Sequence, residues 1–348
     1  MISPPLVRLV SLALLAVASL WAGACSDRSR PSVTLYTSCD APVAAEIVAA
    51  FEQETGIDVR LVTDTEATKT TGLIQRLLAE RDRPVADVWW SNELLGTAQL
   101  ASLGLLSPSP APDFGGVWPE HLRGPDGLWY GHALRTRVIA YRLRPGLDAA
   151  NDVPATLAAM ALPRFKGRIG MARPQFGTTR MHLAALVAMH GEPVVEAWLT
   201  ALRDNDLRLY DGNAAVVQAL AKAEIDVGLT DSDDALVAKD RDWPVAYLHE
   251  DPQGQAPQGV PTLPAGGAIV IPNTVAIVAG TQRRALAEQL AAFLLSARCE
   301  QLLAESDAKT ISIRDGTPLP SPATLDPAAL IEAMPRADAL VRKVLGPT

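Results

Sequence analysis

The sequence predicts an α/β protein built on doubly wound, mostly parallel sheets. Three observations carry this. Strand-like runs alternate with helical runs from Ser32 onward. The chain has 348 residues, 48% of them hydrophobic, which suits about two domains with large cores. Acidic residues stand just after predicted strands, at the carboxyl ends where ligands bind in such sheets.

Each element has its own signal. "SVTLYTS" (Ser32–Ser38) is rich in β-branched residues and reads as a strand. "APVAAEIVAAFEQETG" is a helix with Pro42 in its first turn, Val43, Ile47, Ala50 and Phe51 at helical spacing, and Gly56 as its stop. Ile57–Asp64 is the next strand, "TKTTGLIQRLLAERDR" a second helix, and Ala86–Ser91 a third strand. "NELLGTAQLASLGLL" reads as a helix, ended by a Pro-rich loop from Ser107 to Pro119. Trp129–Leu143 is extended and long enough to pass between two lobes, with the crossing expected around Leu134–Tyr141. "GRIGMARP" is a strand leading to the loop and helix of "QFGTTRMHLAALVAMHG". "EPVVEAWLTALRDN" and "NAAVVQALAKAEID" are helices, the second capped by Asn213. "EIDVGLT" is a strand followed at once by Asp231, Asp233 and Asp234. Ala265–Gly280 reads as paired strands around Pro272-Asn273, and "TQRRALAEQLAAFLLSARCEQLLAES" and the tail from Ala328 as helices.

At the N-terminus, Arg8 precedes an uncharged apolar run, Leu9–Ala22, of signal-peptide proportions. Ala22-Gly23-Ala24-Cys25 resembles a bacterial lipobox, with Ala22 where Leu is usual. Residues 1–24 are therefore expected to be a signal peptide, and 25–31 a tether lipidated at Cys25. The alternative is an ordinary secretory signal; both imply export. Lys and Arg number 31 against 39 Asp and Glu, a net charge of −8, which argues against a nucleic-acid partner. The three cysteines are Cys25, Cys39 and Cys299. With Cys25 lipidated, the other two are expected as unpaired thiols, a Cys39–Cys299 bridge being the alternative.

The order "LYTSCD", "FEQETGIDV", "ADVWWSNE", "RTRVIAY", "GNAAVVQALAKAEIDVGLT" and "VIPNTVAIVAG" resembles the solute-binding proteins of bacterial ABC transporters. It is most similar to their ferric-ion-binding branch, which has a type 2 periplasmic-binding fold. The resemblance implies two α/β lobes, here 32–134 with 265–315 and 135–264 with 316–348, and a ligand cleft between them. It implies a monomer in the periplasm or cell envelope, served by an inner-membrane ABC permease and touching the membrane only through its lipid. No cofactor is implied. The cargo implied is ferric iron or another hard cation, with or without a synergistic anion. The relatives' metal-binding His falls on Asp40, their Glu on Asn92 with Glu93 beside it, and their Tyr pair on Asp233 and Asp234. Their anion-binding groups fall on Gly177, Thr178, Thr179, Asn213 and Asp231. Every metal-ligand type differs from the relatives'.

The residues support a cation site on their own terms. Asp40, Glu93, Asp231, Asp233 and Asp234 in one cleft repel one another and raise each other's pKa. A hard cation relieves this, and carboxylate oxygens suit it; the expected ligands are Asp40, Glu93, Asp233 and Asp234. The alternative is helix capping by Asp40, Asp231 or Asp233. An EF-hand loop from Asp231 fails, because Ala235 and Leu236 stand at its fifth and sixth positions. The rival cargo is an anion, a phosphonate, phosphate or other organic acid, held by "FGTTR" (Phe176–Arg180) ahead of a helix and by Arg135 and Arg137. An aminoalkylphosphonate would use both halves. Trp89 and Trp90 point to opposite faces of their strand and are expected in the core. Cys39 offers a soft ligand beside Asp40, and the five His show no ligand spacing. Two cleft carboxylates also suit acid–base hydrolysis. No G-x-S-x-G, H-E-x-x-H or Walker loop accompanies them, so the sequence reads as a binding protein.

Metabolic labelling with a fatty-acid analogue checks the N-terminus. Label is expected on the wild type and absent from Cys25→Ser; equal labelling and unchanged processing of the variant would show that Cys25 is not the lipid site.

Overall fold

One strand organises the molecule. Tyr130–Arg142 spans 13 residues and changes partners halfway along. The computed structural model describes residues 30–64, 70–111, 113, 117–314, 316, 319, 323 and 325–346. The expected signal peptide and Cys25 lie outside these. Among the described residues the strands are β1 (Ser32–Thr37), β2 (Asp58–Thr63), β3 (Val88–Ser91), β4 (Leu106–Ser107), β5 (Tyr130–Arg142), β6 (Ile169–Ala172), β7 (Arg208–Tyr210), β8 (Val227–Asp231), β9 (Val245–Leu248) and β10 (Val270–Val278). The longer helices are α1 (Ala41–Thr55), α2 (Thr71–Ala79), α3 (Leu94–Ser102), α4 (Gly177–His190), α5 (Glu192–Asp204), α6 (Asn213–Ala221), α7 (Ser232–Asp240), α8 (Arg284–Leu294), α9 (Ala297–Glu305) and α10 (Pro327–Leu345).

The strand order is β2-β1-β3-β10-β5-β8-β6-β7, with β4 beside β10 and β9 beside β5. β2, β1 and β3 are parallel, as are β7, β6 and β8. β10 and β5 run antiparallel to their neighbours at the centre. The expected α/β lobes are present, each with a parallel set of strands, but the sheet as a whole is mixed, because β10 and β5 at the centre pair antiparallel with their neighbours, β4 and β9 included. β5 pairs with β10 as far as Thr136 and with β8 from Arg137.

The crossing strand is bent at a defined point. Its pairing with β10 slips between Pro272 and Asn273, leaving Ala133 as an extra residue. Ala133 sits at φ 46, a left-handed conformation that costs a non-glycine residue about 1–2 kcal/mol. Its amide donates to Glu300 Oε1 at 3.3 Å, and its carbonyl accepts from Asn273 Nδ2 at 2.7 Å. These bonds hold a β-bulge two residues before Arg135.

Each sheet is covered on both faces. Trp89 and Trp90 are fully buried and belong to different apolar clusters, as alternation along a strand requires. The Trp90 cluster joins α1, α8 and α9 to the first sheet through Ile47, Phe51, Leu290, Leu294 and Cys299. The Trp89 cluster continues into the second lobe as far as Trp198 in α5. A third cluster holds α6 and α7 to the other face of the second sheet through Val216, Leu220 and Ala238. Cys39 and Cys299 are separate buried thiols.

Several sequence expectations are corrected. β10 is one strand, not a pair, because the bulge accommodates Pro272 in mid-strand. The helix read over Asn92–Leu106 ends at Ser102, and Leu106 starts the short β4. The helix from Thr281 is two, α8 and α9, with Ser296 capping the second through the Cys299 amide at 3.2 Å. α2 is shorter than "TKTTGLIQRLLAERDR". Asn213 does not cap α6; Gly212 occupies that position.

Candidate functional site

The strand ends converge on a cavity of ≈ 140 Å³. Asp40 reaches it after β1, Asn92 after β3, and Arg135 from β5. Asp231, Asp233 and Asp234 come from the junction of β8 and α7, and Gly177, Thr178 and Thr179 from the first turn of α4. Asn213, at the start of α6, completes the expected set apart from Glu93. Phe176, the first residue of the expected anion nest, also lines the cavity, as do Arg173 and Asp211, which sequence reasoning missed. The signal for Asp211 was a short strand, Arg208–Tyr210, followed by Asp-Gly. Arg173 Nε pairs with Asp211 Oδ1 at 3.0 Å.

The second-lobe wall is a network centred on Asp231, in which Arg137 keeps two buried nitrogens, Nε and Nη2, without hydrogen-bond partners among the described residues. Arg137 and Asp231 are cross-strand partners on β5 and β8. Arg137 Nη1 donates to Asp231 Oδ1 at 2.7 Å, and Thr178 Oγ1 donates to Oδ2 at 2.7 Å. Asn213 Nδ2 donates to the same Oδ2 at 2.8 Å, and its Oδ1 accepts from Arg137 Nη1 at 3.2 Å. Three of the groups expected to hold an external anion thus hold the protein's own carboxylate. Thr179 is different: its buried hydroxyl has no hydrogen-bond partner among the described residues. Gly177 starts α4 at φ 60, a conformation that favours glycine.

The capping alternative divides. Asp40 and Asp231 occupy the positions before α1 and α7, but neither side chain makes a cap bond. Glu93 does cap. Its carboxylate accepts from the Gly96 amide at 2.9 and 3.2 Å at the start of α3. Glu93 is buried and does not line the cavity, which corrects its expected place among the metal ligands. Burial pushes its pKa up to about 7. Arg180 is corrected too: it pairs with Asp338 of α10, Nη2 to Oδ2 at 2.7 Å, and does not line the cavity.

The remaining acids are electrostatically strained. Among the described residues, one group of three or more His, Cys, Asp or Glu side chains is close enough to hold a metal ion: Asp231, Asp233 and Asp234. Their ligand oxygens lie within 4.8 Å of one another. Burial pushes Asp233 up to about 6, opposed by Arg135 and aided by Asp231. Burial, then Asp233 and Asp231, push Asp234 well above the usual range, and Asp40 adds to this from the first lobe. Asp233 Oδ1 is buried without a hydrogen-bond partner among the described residues. Such oxygens suit a hard cation.

With this geometry in view, comparison with known proteins is informative. Residues 33–306 match the family of bacterial extracellular solute-binding proteins. The chain belongs to that family. It is 29% identical over 204 residues to iron uptake protein A1 of Synechocystis, a match covering 58% of this chain and 54% of that protein. It therefore spans only about half the length of that relative. To the major ferric iron-binding protein of Neisseria meningitidis serogroup B it is 26% identical over 284 residues, 78% of each chain. The structure of iron-bound HitA from Pseudomonas aeruginosa superposes with a TM-score of 0.75 at 26% identity, covering 90% of this chain and 99% of that one. The two-lobed periplasmic-binding fold is thus shared.

The raised pKa of Asp233 has a stability consequence. Between its ordinary value of 3.8 and about 6, the folded chain keeps a proton that the unfolded chain releases. The favourable contribution is complete below 3.8 and is lost as pH rises through about 6. Asp233→Asn imitates the protonated form. Metal-free Asp233→Asn should therefore exceed the wild type in stability by about 1–3 kcal/mol near neutral pH and match it near pH ~4. Urea denaturation at the two pH values measures this; a variant less stable at neutral pH would contradict the assigned strain.

Proposed function

We propose that this chain captures ferric iron, or another hard multivalent cation, in the interlobe cavity and delivers it to an inner-membrane ABC permease. The observation that carries the reading is the convergence of three mutually repelling carboxylates at the end of β8, Asp231 buried and Asp233 and Asp234 half-buried. Family membership and relatives named for ferric iron support it. In this reading Asp233 and Asp234 bind the ion from the second lobe and Asp40 approaches from the first. Asp231 stays with Arg137 and positions its neighbours. The ligand set is all carboxylate, unlike the His, Glu and Tyr pattern that the sequence resemblance implies.

The reading includes a periplasmic or envelope location, a lipid anchor at Cys25, and action as a monomer. Lobes of 32–134 with 265–315 and 135–264 with 316–348 belong to it; the partner exchange of β5 beside residue 135 supports that division. No helix among the described residues is long and apolar enough to cross a membrane. The reading is capture without turnover.

An anionic solute is the second reading. The first turn of α4 lines the same space, and within it the buried Thr179 hydroxyl has no hydrogen-bond partner among the described residues. The network around Asp231 weighs against it, because Thr178, Asn213 and Nη1 of Arg137 already hold that carboxylate, although Nε and Nη2 of Arg137 have no partner among the described residues.

Removing one partner from a desolvated charge contact costs about 2–5 kcal/mol. Asp233→Asn and Asp234→Asn should therefore weaken ferric-iron binding roughly ten- to a thousandfold while the fold persists. Asn caps helices about as well as Asp, so a capping role leaves affinity unchanged. Titration of each variant with ferric iron against a competing chelator, beside its melting curve, separates the two. Wild-type affinity in both variants would sink the assignment.

A further inference from the structure

A cation site that already contains a cation poses a problem, and this one does. Arg135 and Arg137 are two residues apart on one face of β5, but they are held differently. Arg137 is anchored to Asp231 by one short bond from Nη1 at 2.7 Å, its Nε and Nη2 being buried without hydrogen-bond partners among the described residues. Arg135 lies among the acids with a side chain 8% exposed and a longer contact, Nη1 to Asp233 Oδ2 at 3.3 Å. Its Nε is 3.6 Å from Asp231 Oδ2. Its short bond goes elsewhere: Nη2 donates to the Asn92 carbonyl at 2.5 Å, at the end of β3 in the first lobe. Guanidinium–carboxylate contacts are strongest as two parallel bonds. Here the pairing is incomplete, for Arg135 Nε and Asp233 Oδ1 are both buried without hydrogen-bond partners among the described residues. Burial opposes the guanidinium's charge, but Asp233 and Asp231 outweigh it and keep Arg135 cationic.

We propose that Arg135 is a resident counter-cation which the cargo displaces from Asp233, and that it thereby sets the charge a cargo must carry. This rests on the reading of the cavity as a cation site. An ion bound among oxygens within 4.8 Å of one another stands close to the guanidinium, and like charges repel strongly in a desolvated site. A monovalent ion replaces one positive charge with another and gains little. A multivalent ion gains the difference. The same side chain ties Asn92 in the first lobe to Asp233 in the second, so displacement loosens a bond between lobes as the ion forms its own.

The test uses metal-free wild type, Arg135→Gln and Arg135→Lys, titrated with Fe³⁺ against citrate as competing chelator and with Ca²⁺ alone. Arg135→Gln should bind Fe³⁺ at least about tenfold more tightly than wild type and gain affinity for Ca²⁺. Arg135→Lys keeps the charge and should show neither gain. A folded Arg135→Gln that binds Fe³⁺ no more tightly than wild type overturns the proposal and leaves the cation site standing. Wild type that binds neither ion removes the proposal together with the reading beneath it. If Arg135→Gln does not fold, a crystal structure of wild type with Fe³⁺ decides. Separation of Arg135 from Asp233 beyond about 4 Å, the limit of an ion pair, is expected; an intact contact beside the bound ion overturns the proposal.

Discussion

Arg137 and Asp231 face each other across β5 and β8 at the point where β5 has just left the first sheet. The cleft is arranged around that pair. Asp231 takes donors from Arg137, from Thr178 in α4 and from Asn213 in α6. One carboxylate therefore fixes the starts of two helices, and its own residue leads directly into a third, α7. Breaking a buried pair by removing one member typically costs about 3–5 kcal/mol, because the other charge is left without compensation. The orientation of Asp233 and Asp234 in the first turn of α7 depends on this junction.

With Asp231 neutralised by Arg137, the negative charge at this junction lies on Asp233 and Asp234, which Asp40 faces from the first lobe. Their positions favour them in part, since Asp233 and Asp234 sit at a helix N-terminus where carboxylates are stabilised. Burial and mutual repulsion outweigh that help and raise both pKa values. The free protein thus holds charge that it stabilises poorly, and Arg135 offsets part of it through an imperfect contact. In the proposed function, a multivalent cation completes the balance and draws Asp40 from the opposite lobe toward the same ion, so that stability withheld from the free protein becomes affinity for the cargo.

Much of this was legible in the sequence. β1, α1, β2 and β3 follow from β-branched runs, a first-turn Pro42 and the left-handed Gly56. The acids at strand ends were found because the architecture itself marks strand ends as ligand positions. β7 was missed because three residues carry too little pattern. β10 was misread because Pro272 looks like a break until the bulge at Ala133 is seen, and that bulge depends on Glu300 and Asn273, both far along the chain. Glu93 reads as a ligand in the sequence because a carboxylate after a strand looks alike whether it caps or binds; its bond to Gly96 decides. Arg180 meets Asp338 across 158 positions of sequence, a pairing that no local signal announces. The division of labour between Arg135 and Arg137 needed the register of β5 against β8.

Native mass spectrometry of the purified, non-denatured chain, with metal analysis of the same sample, tests the central claim most directly. The account predicts a multivalent metal ion bound at one per chain, removed by a strong chelator and restored by Fe³⁺. A chain that carries a stoichiometric phosphate or organic acid, and takes up no metal after stripping, would contradict it.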